Sequence, residues 1–410
     1  RQGRTTPTTS STASPTSWRV IVRIEHMRVR NYRVLRDITF KDLRPFTVVI
    51  GSNGSGKSTV FDAFAFLHEA FTVGLRGAWD KRNRIDAIRS RGSEGSVEFE
   101  LKYRVDVDGQ KRQTTYEIAI DEEGGQPVVQ REVLRWTTAR GSGRPRDILR
   151  FERGNGKIYN EQTCEYEDEP LDSPDLLAVS ALGQMQRHFR VKALRNFIQG
   201  WYLSYLTADN TRTTPTSRPE PRLSQTGDNL ANVIQYLQEN HPSTLEAVFD
   251  VLGRRIPQLE SILPKLLEDG RLLLRLKDRP FDDPVLDRFT SDGTLKLLAY
   301  LTMLHAPAPP TVIGIEEPEN QLHPSLVPPL AEDIRELSRR SQVFVTTHSR
   351  EFLSVVAPKE LWIISRHDDG YARVHRVSED ERVMAMLRKG ASLPELWAEG
   401  YLHSADPKMV

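Results

Sequence analysis

The sequence is poor in several features that would otherwise define its class. Only one of its 410 residues is cysteine, Cys164, which excludes an intramolecular disulfide and indicates a reducing compartment. The formal net charge is +1, so attraction of a polyanion by net charge alone is excluded. No apolar run approaches the roughly 20 residues that cross a bilayer. The longest candidate, around 295–304, contains Lys296 and Thr302. These features predict a cytoplasmic protein with no membrane partner.

What the chain does contain is the phosphate-loop pattern G-x-x-x-x-G-K-[ST] at residues 51–58. An apolar run at 46–50 predicts a buried strand before it, and 57–70 predicts a helix after it. In that context backbone N–H groups and the helix N-terminus can hold a phosphate chain. The structural alternative, a chance glycine-rich turn, is disfavoured by the flanking strand and helix. The predicted nucleotide-binding residues are Asn53, Gly54, Ser55, Gly56, Lys57, Ser58 and Thr59. Lys57 would reach the β- and γ-phosphates as a catalytic residue, and Ser58 would ligate Mg²⁺.

A pair of carboxylates follows a second apolar run, at 311–315. Glu316 and Glu317 come directly after this predicted strand. Because parallel strands end at one edge of a sheet, the pair is expected beside the phosphate loop. There Glu316 would hold Mg²⁺, directly or through water, and Glu317 would orient or deprotonate the attacking water. The structural alternative is a strand that ends in a solvated acidic turn.

Two further motifs also have purely structural explanations. Ser291 or Asp292 followed by Gly293 is typical of a helix start, here for a helix predicted up to residue 304. A Ser-x-Gly helix start is equally an anion site. His348 follows an apolar strand at a point where a strand end would face a γ-phosphate, although a lone histidine is usually a polar surface residue.

The alternation of patterns predicts an α/β fold with a mostly parallel sheet, an antiparallel β subdomain and a helical insertion. Residues 1–18 are expected to form a disordered tail and 19–140 an N-terminal lobe with the phosphate loop and antiparallel strands. A polar excursion and helical insertion would occupy 141–270, a C-terminal lobe 271–380, and a helical tail 381–410. The polar, glycine-rich stretch 140–169 is predicted to be exposed, and helices are predicted over 176–188 and 191–205.

The order of these motifs resembles the ABC-type ATPases of the RecF/SMC group. Within that group, residues 31–33, 291–294 and 316–324 resemble the AAA-type ATPases of the OLD (overcoming lysogenisation defect) family. The resemblance covers about 21–72 and 281–365. It implies a P-loop NTPase fold of the ABC ATPase type, with ATP and Mg²⁺ as cofactors.

The resemblance also implies a role for each matched residue. Glu316 and Glu317 resemble Walker B with its catalytic glutamate, His348 the switch histidine, and Glu319 with Asn320 the D-loop. Ser291, Gly293 and Thr294 resemble the signature motif, which in this family caps the ATP of a second protomer. A homodimer with shared ATP sites is therefore implied, and assembly beyond the dimer is left open. Asp292 stands where transporters usually have glycine, and Gln184 or Gln186 is only a guess for the Q-loop glutamine.

OLD proteins continue into a TOPRIM nuclease, whose metal site needs a Glu and a clustered pair of Asp. After His348 the chain offers Asp368 and Asp369, but these precede Gly370 between two predicted strands and are interpreted as a hairpin tip. The effector, a TOPRIM-like or other nuclease, is therefore expected to be a separately encoded protein.

The predicted function is a slow, partner-regulated ATPase acting as sensor or motor in prokaryotic anti-phage defence. A RecF/SMC-like ATPase of DNA repair or maintenance is the alternative. DNA is a candidate partner, although charge runs are more often solvated faces; the arginines considered are Arg82, Arg84, Arg89, Arg91, Arg140, Arg144 and Arg146. The nucleotide-binding subunit of a transporter is disfavoured by the 240 positions from Gly51 to Ser291. A scaffold that binds ATP without turnover is disfavoured by Glu317 and His348.

Overall fold

The computed structural model of the chain describes residues 23–107, 110–137, 145–160, 162–287 and 290–402. The predicted disordered tail, 1–18, lies outside these ranges, as do Arg140 and Arg144. Within them, none of the helices combines the length and the apolar character that crossing a bilayer requires.

The strands are named in chain order. They are β1 (Arg23–Tyr32), β2 (Leu35–Lys41), β3 (Phe46–Ile50), β4 (Val97–Val107), β5 (Gln110–Glu123), β6 (Gln126–Trp136), β7 (Arg146–Glu152), β8 (Asn155–Asn160), β9 (Glu165–Asp168), β10 (Tyr202–Ser204), β11 (Leu259–Leu266), β12 (Leu272–Asp278), β13 (Val285–Leu286), β14 (Val312–Glu316), β15 (Gln342–Thr347), β16 (Leu361–Arg366) and β17 (Ala372–Arg376).

The α-helices are named in the same way. They are α1 (Lys57–Thr72), α2 (Leu75–Asp80), α3 (Arg84–Ile88), α4 (Ala178–Leu182), α5 (Phe189–Gln199), α6 (Ala208–Thr211), α7 (Leu230–Asn240), α8 (Pro242–Arg255), α9 (Asp292–Leu304), α10 (Val327–Leu337), α11 (Glu381–Arg388) and α12 (Leu393–Ala398).

The core sheet has the strand order β10-β14-β15-β3-β16-β17. All neighbours pair in parallel except β16 and β17, which are antiparallel. Every residue of β3 and β15 is buried, as expected for apolar strands covered on both faces. Because β15 lies between β3 and β14, the phosphate loop, the two glutamates and His348 all follow strands that end at one edge of the sheet.

Helices cover both faces of this sheet. Phe46, Val48 and Ile50 of β3 belong to the apolar cluster formed with α7, α8, α9 and α10, whereas Val49 belongs to the cluster that contains α1. Phe64 of α1 contacts Phe344 of β15, with ring centroids 4.9 Å apart. On its far side α1 meets the antiparallel sheet, where Phe66 stacks on Phe99 at 5.5 Å. The helix that follows the phosphate loop is therefore packed between two sheets.

The second sheet is antiparallel throughout and has the order β2-β1-β4-β5-β6-β7-β8-β9. A third, three-stranded sheet has the order β11-β12-β13 and packs beside α7 and α8. The α/β class with a mostly parallel sheet and an antiparallel β subdomain is confirmed.

The prediction that residues 140–169 form an exposed excursion is wrong for the described part of that range. Strands β7, β8 and β9 lie there and extend the antiparallel sheet. Ile148, Leu149 and Phe151 of β7 and Ile158 of β8 are buried. These apolar residues are too few and too closely interspersed with charge to reveal short strands by periodicity.

The helix predicted over 176–188 is largely wrong, whereas the helix predicted over 191–205 is confirmed as far as Gln199. α4 covers only Ala178–Leu182, and α5 ends at Gln199 with Gly200 as its C-cap. Tyr202–Ser204 then forms β10, which pairs with β14 at the edge of the core sheet. A three-residue strand is too short for its periodicity to distinguish it from a continuation of the preceding helix.

Candidate active site

The phosphate loop connects the end of β3 to the start of α1. Gly56 is the N-cap of α1 with φ 113°, a left-handed conformation that favours glycine. No side chain caps this helix end, and its first turn contains no acidic residue. The first backbone N–H groups of α1 are therefore available to an anion.

Gly51 and Ser55 lie close together within the phosphate loop. A Cβ on Gly51 would lie 2.3 Å from the backbone oxygen of Ile364 and 2.5 Å from Oγ of Ser55, so the loop requires glycine there. The hydroxyl of Ser55 is buried and has no hydrogen-bond partner within the chain. An unpaired hydroxyl beside free helix N–H groups fits a bound phosphate.

Lys57 is folded back over the loop. Its side chain is 6% exposed, and Nζ donates to the backbone oxygens of Gly51 at 2.9 Å and Ser52 at 3.3 Å. Nζ also lies 3.9 Å from Oε1 of Glu317. The ammonium group is therefore held by neutral carbonyls and one distant carboxylate, an arrangement that leaves it able to pair with phosphate oxygens.

Glu316 ends β14 and faces the start of α1. Burial raises the pKa of this carboxyl, and a hydrogen bond from the hydroxyl of Ser58 acts in the opposite direction. A carboxylate beside a serine hydroxyl supplies the oxygen ligands that Mg²⁺ prefers. These two residues fit the predicted metal site.

Glu317 leaves the strand in a left-handed conformation, with φ 44°. Its N–H donates to the oxygen of Thr346 at 2.9 Å, and its Oε2 accepts from Nδ2 of Asn320 at 3.0 Å. Few residues other than glycine adopt this backbone conformation, and such strain is found where a side chain must be aimed. Here it directs the carboxylate towards Lys57 and His348 rather than along the strand.

His348 follows β15 and is held by Glu319. The N–H of His348 donates to Oε1 of Glu319 at 2.9 Å, and Oγ1 of Thr347 donates to the same oxygen at 2.7 Å. Nδ1 of His348 lies 3.4 Å from that oxygen and 3.5 Å from Oε1 of Glu317. Its side chain is 46% exposed, so the imidazole lies at an open surface beside the carboxylate.

The signature residues lie at the start of α9. Ser291 is the N-cap: its Oγ accepts from the N–H of Thr294 at 3.2 Å and lies 2.7 Å from Oγ1 of Thr294. A Cβ on Gly293 would lie 2.9 Å from the oxygen of Gln321, so the helix start packs closely on the turn after Glu317. The hydrogen bonds of Ser291 and Thr294 are thus made within their own segment.

Sequence reasoning missed two basic residues that hold this segment. Nζ of Lys296 donates to the oxygen of Asn320 at 2.7 Å, and its side chain is buried. Burial lowers the pKa of Lys296 to about 8, against the opposing influence of Glu319 and Glu317. Arg212 lies 2.6 Å from Oδ1 of Asp292. A lysine in the second turn of a helix and an arginine 80 positions upstream of Asp292 carry no local signal of these contacts.

Gln184 and Gln186, the guessed Q-loop residues, lie in an exposed turn between α4 and α5. The residue that follows β10, next to the end of β14, is instead Tyr205. Its ring packs edge-on against Phe61 of α1, with centroids 5.3 Å apart. Burial, together with Asp62 and Glu316, raises the pKa of Tyr205 well above its usual range.

The predicted basic surface around Arg82, Arg84, Arg89 and Arg91 does not form as expected. Arg82 is buried and binds Asp62 at 2.8 Å and Glu69 at 2.6 Å, while Arg84 and Arg89 pair with Asp80 and Asp121. Asp62 also accepts from the hydroxyl of Tyr32 at 2.5 Å. Most of these arginines therefore anchor α1 and its neighbours through ion pairs instead of presenting free charge to a polyanion.

Asp368 and Asp369 lie in the turn that joins β16 to β17, next to Gly370 at φ 81°, as predicted. Outside the phosphate loop region, Glu167, Glu169 and His188 lie close enough together to hold a metal ion. The guanidinium of Arg187 already contacts two of them, Glu169 at 2.5 Å and Nε2 of His188 at 3.1 Å. The guanidinium of Arg187 therefore already balances negative charge in this cluster.

The fold is that of a P-loop NTPase of the ABC ATPase type. The chain belongs to the family described as "AAA domain, putative AbiEii toxin, Type IV TA system", whose profile matches residues 46–354. That range begins at β3 and ends just after His348, so it contains all the residues described above that surround the phosphate loop.

Among curated proteins, the chain is 31% identical over 90 residues to "DNA double-strand break repair Rad50 ATPase" of Pyrococcus abyssi (strain GE5 / Orsay). The match covers 21% of this chain and 9% of that protein, so the chain spans a small part of its relative's length.

Among solved structures, the chain is similar to an Smc head bound to the C-winged helix domain of ScpA, with TM-score 0.53 and 16% identity over 88% of this chain and 99% of that one. It is also similar to an Smc head domain with an extended coiled coil, bound to the C-terminal domain of ScpA derived from Pyrococcus furiosus. The TM-score is 0.50, with 14% identity over 90% of this chain and 100% of that one. At these identities the likeness shows the fold. The fold implied by the resemblance to the RecF/SMC group is confirmed, and the OLD assignment stays a prediction.

Proposed function

We propose that this protein binds Mg-ATP and hydrolyses it slowly within a dimer whose two ATP sites are shared. The observation that carries the proposal is the convergence of four groups at one sheet edge. Lys57, the Ser58–Glu316 pair, Glu317 and His348 follow three adjacent parallel strands. Oε1 of Glu317 lies 3.9 Å from Nζ of Lys57 and 3.5 Å from Nδ1 of His348, and the hydroxyl of Ser58 hydrogen-bonds to Glu316. Phosphoryl transfer to water depends mainly on positioning and charge stabilisation, which is what such a set provides.

Each residue has a separable task in this proposal. Lys57 pairs with the β- and γ-phosphates, and the free N–H groups at the start of α1 bind the phosphate chain. Ser58 and Glu316 hold Mg²⁺, which when bound neutralises charge on the phosphate oxygens. Glu317 accepts the proton of the attacking water, and His348, held by Glu319, orients that water or the γ-phosphate.

The proposal of shared sites is supported by the position of the signature residues. Ser291, Gly293 and Thr294 lie at the start of α9, where backbone N–H groups that the Ser291 side chain does not use can bind an anion. We propose that this end covers the ATP held by a second protomer, which makes nucleotide binding and dimerisation one event.

The test compares two variants. Glu317→Gln preserves side-chain volume but removes the proton acceptor, so turnover should fall about 10²–10⁴-fold while ATP is still bound and dimer accumulates. Lys57→Ala should lose ATP binding itself. Glu246→Gln, at an exposed position of α8, is the matched control for a carboxylate-to-amide change. Phosphate release, ATP affinity and molecular mass in solution are measured for each. An equal loss of ATP affinity in Glu317→Gln and Lys57→Ala would contradict the assigned roles.

We further propose that the ATPase acts as the sensor or motor of a prokaryotic anti-phage system with a separately encoded effector, a TOPRIM-like or other nuclease. The separation of ATPase and effector is supported by Asp368 and Asp369, which serve a hairpin turn and so offer no nuclease metal site at that point. Affinity purification from the native host, with Glu317→Gln to trap the ATP-bound form, should recover one nuclease that Lys57→Ala does not. Recovery of a membrane permease instead would favour a transporter.

The family description supports a second candidate, the toxin of a toxin–antitoxin pair. Controlled expression in a bacterial host distinguishes the two. A toxin should arrest growth without phage and without a partner, and Lys57→Ala should remove the arrest. A DNA repair or maintenance role, suggested by the Rad50 relative, predicts ATP-dependent affinity for duplex DNA that falls steeply with salt.

A further inference from the structure

The N-terminus of α9 contains an apparent contradiction. In the proposed dimer it must approach the phosphates of ATP, yet its first turn contains a carboxylate, Asp292. A carboxylate stabilises the helix end from within, but it repels an incoming phosphate at the same place. Its side chain is 49% exposed, so burial does not suppress the charge.

Arg212 resolves this contradiction in the structure. Nη2 of Arg212 lies 2.6 Å from Oδ1 of Asp292 and donates to the backbone oxygen of Thr290 at 2.6 Å. One guanidinium nitrogen therefore holds both the carboxylate and the backbone just before the helix. The arginine side chain is 19% exposed, and its Nε is buried with no hydrogen-bond partner.

The other acidic neighbour of Arg212 does not compete for it. Asp209 lies 4.0 Å from Nη1 and its side chain is 96% exposed, so solvent screens that pair strongly. Arg212 itself is the C-cap of α6, which follows β10 and packs against α9. The guanidinium of Arg212 therefore reaches the signature segment from α6, which lies beside the edge strand of the core sheet.

We propose that Arg212 is a positioning residue that neutralises Asp292 and so keeps the start of α9 receptive to the phosphates of ATP bound by a second protomer. This inference rests on the shared-site dimer proposed above. Without Arg212, the unpaired carboxylate of Asp292 would face a polyanion at close range. At an effective dielectric constant of about 20 and a charge separation of about 6–12 Å, that repulsion corresponds to a rise of about 10- to 100-fold in the ATP concentration needed for dimerisation.

The test uses the Glu317→Gln background, in which dimer accumulates without turnover. Arg212→Ala should raise the ATP concentration at half-maximal dimerisation by about 10- to 100-fold. Arg212→Ala combined with Asp292→Asn should restore it to within about threefold of the parent, because the repelling charge is gone. Arg212→Lys should give an intermediate value, since lysine retains the charge but not the forked geometry.

The double variant separates charge from structure. If Arg212 serves only to hold the backbone of Thr290, then Asp292→Asn cannot rescue Arg212→Ala, and that result overturns the inference. So does unchanged dimerisation in Arg212→Ala. ATP binding to dilute monomer, which needs only the phosphate loop, is measured in parallel and should be the same in all variants. If the Glu317→Gln parent itself binds ATP but never dimerises, the shared-site proposal fails, an outcome distinct from failure of the charge argument.

Discussion

The burial of Lys296 should affect both the free energy of unfolding and its dependence on pH. Its ammonium group lies between α9 and the turn that follows Glu317, where it donates to the oxygen of Asn320. Replacement by methionine keeps the length of the side chain but removes the charge and the donor. Two effects on the free energy of unfolding then oppose one another.

The first effect is relief of burial. The pKa of Lys296 is lowered from 10.5 to about 8, chiefly by burial. Since one pKa unit corresponds to about 1.4 kcal/mol, holding this charge in the folded protein costs about 3 kcal/mol at pH 7. The second effect is the loss of a partner for the oxygen of Asn320, which costs about 1–3 kcal/mol. Lys296→Met is therefore expected to change stability at pH 7 by less than about 2 kcal/mol.

The pH dependence isolates the first effect. Between pH 8 and 10.5 the unfolded chain holds the lysine proton more tightly than the folded protein does, so folding releases a proton. The wild type must then gain stability relative to Lys296→Met as pH rises through this window, by about 2 kcal/mol at pH 9.5. Below pH 8 the difference between the two proteins should stay constant.

Urea unfolding of both proteins at pH 7.0 and 9.5 measures this difference. Lys157→Met, at an exposed lysine of β8, gives the baseline for removal of an ammonium group. A difference that is the same at both pH values would refute the argument that burial destabilises the Lys296 ammonium. Turnover of Lys296→Met should also fall, because the turn that carries Asn320 positions Glu317 through the hydrogen bond to its Oε2.

Two further predictions concern His348 and Glu132. His348→Ala should lower ATP turnover about 10²-fold or more and leave ATP affinity within a fewfold of the wild type, as measured by phosphate release and nucleotide binding. Glu132 is fully buried, and burial raises its pKa to about 7, so the folded protein binds an extra proton between pH 4.5 and 7. Relative to Glu132→Gln, the wild type should lose about 3 kcal/mol of stability as pH rises through that window, and thermal or urea unfolding at pH 5 and 7.5 checks the sign.

The parts of the fold that could be predicted from sequence are those whose signals are local. The strand at 46–50, the phosphate loop and the helix from Lys57 form one continuous segment, and each element is long or strongly patterned. The apolar strand before Glu316 and the one before His348 are equally clear. Because parallel strands end at the same edge, placing these side chains together needed only the fold class.

The parts that could not be predicted depend on distant partners. β10 has three residues, and only its pairing with β14 makes it a strand. β7 is short and rich in charge and β8 is short and polar, and β7 is covered by α4 and α5, which are distant in sequence. Likewise, nothing near Arg82 reveals that Asp62 and Glu69 lie beside it, so an arginine-rich stretch was interpreted as an open surface. Tertiary context decided each of these cases.

The turn that follows β14 contacts both the phosphate loop and the helix that carries the signature residues. Glu317 contacts Lys57 and His348, Glu319 holds the backbone of His348, and the oxygen of Asn320 accepts from Lys296 of the signature helix. The start of the same helix packs on Gln321. Changes at Glu319, Asn320 or Gln321 therefore disturb both the nucleotide site of their own protomer and the surface proposed to meet a second one. Glu317→Gln instead removes a proton acceptor while preserving side-chain volume, and changes at the Arg212–Asp292 pair, outside this turn, alter charge at the signature segment. These variants separate hydrolysis from dimerisation.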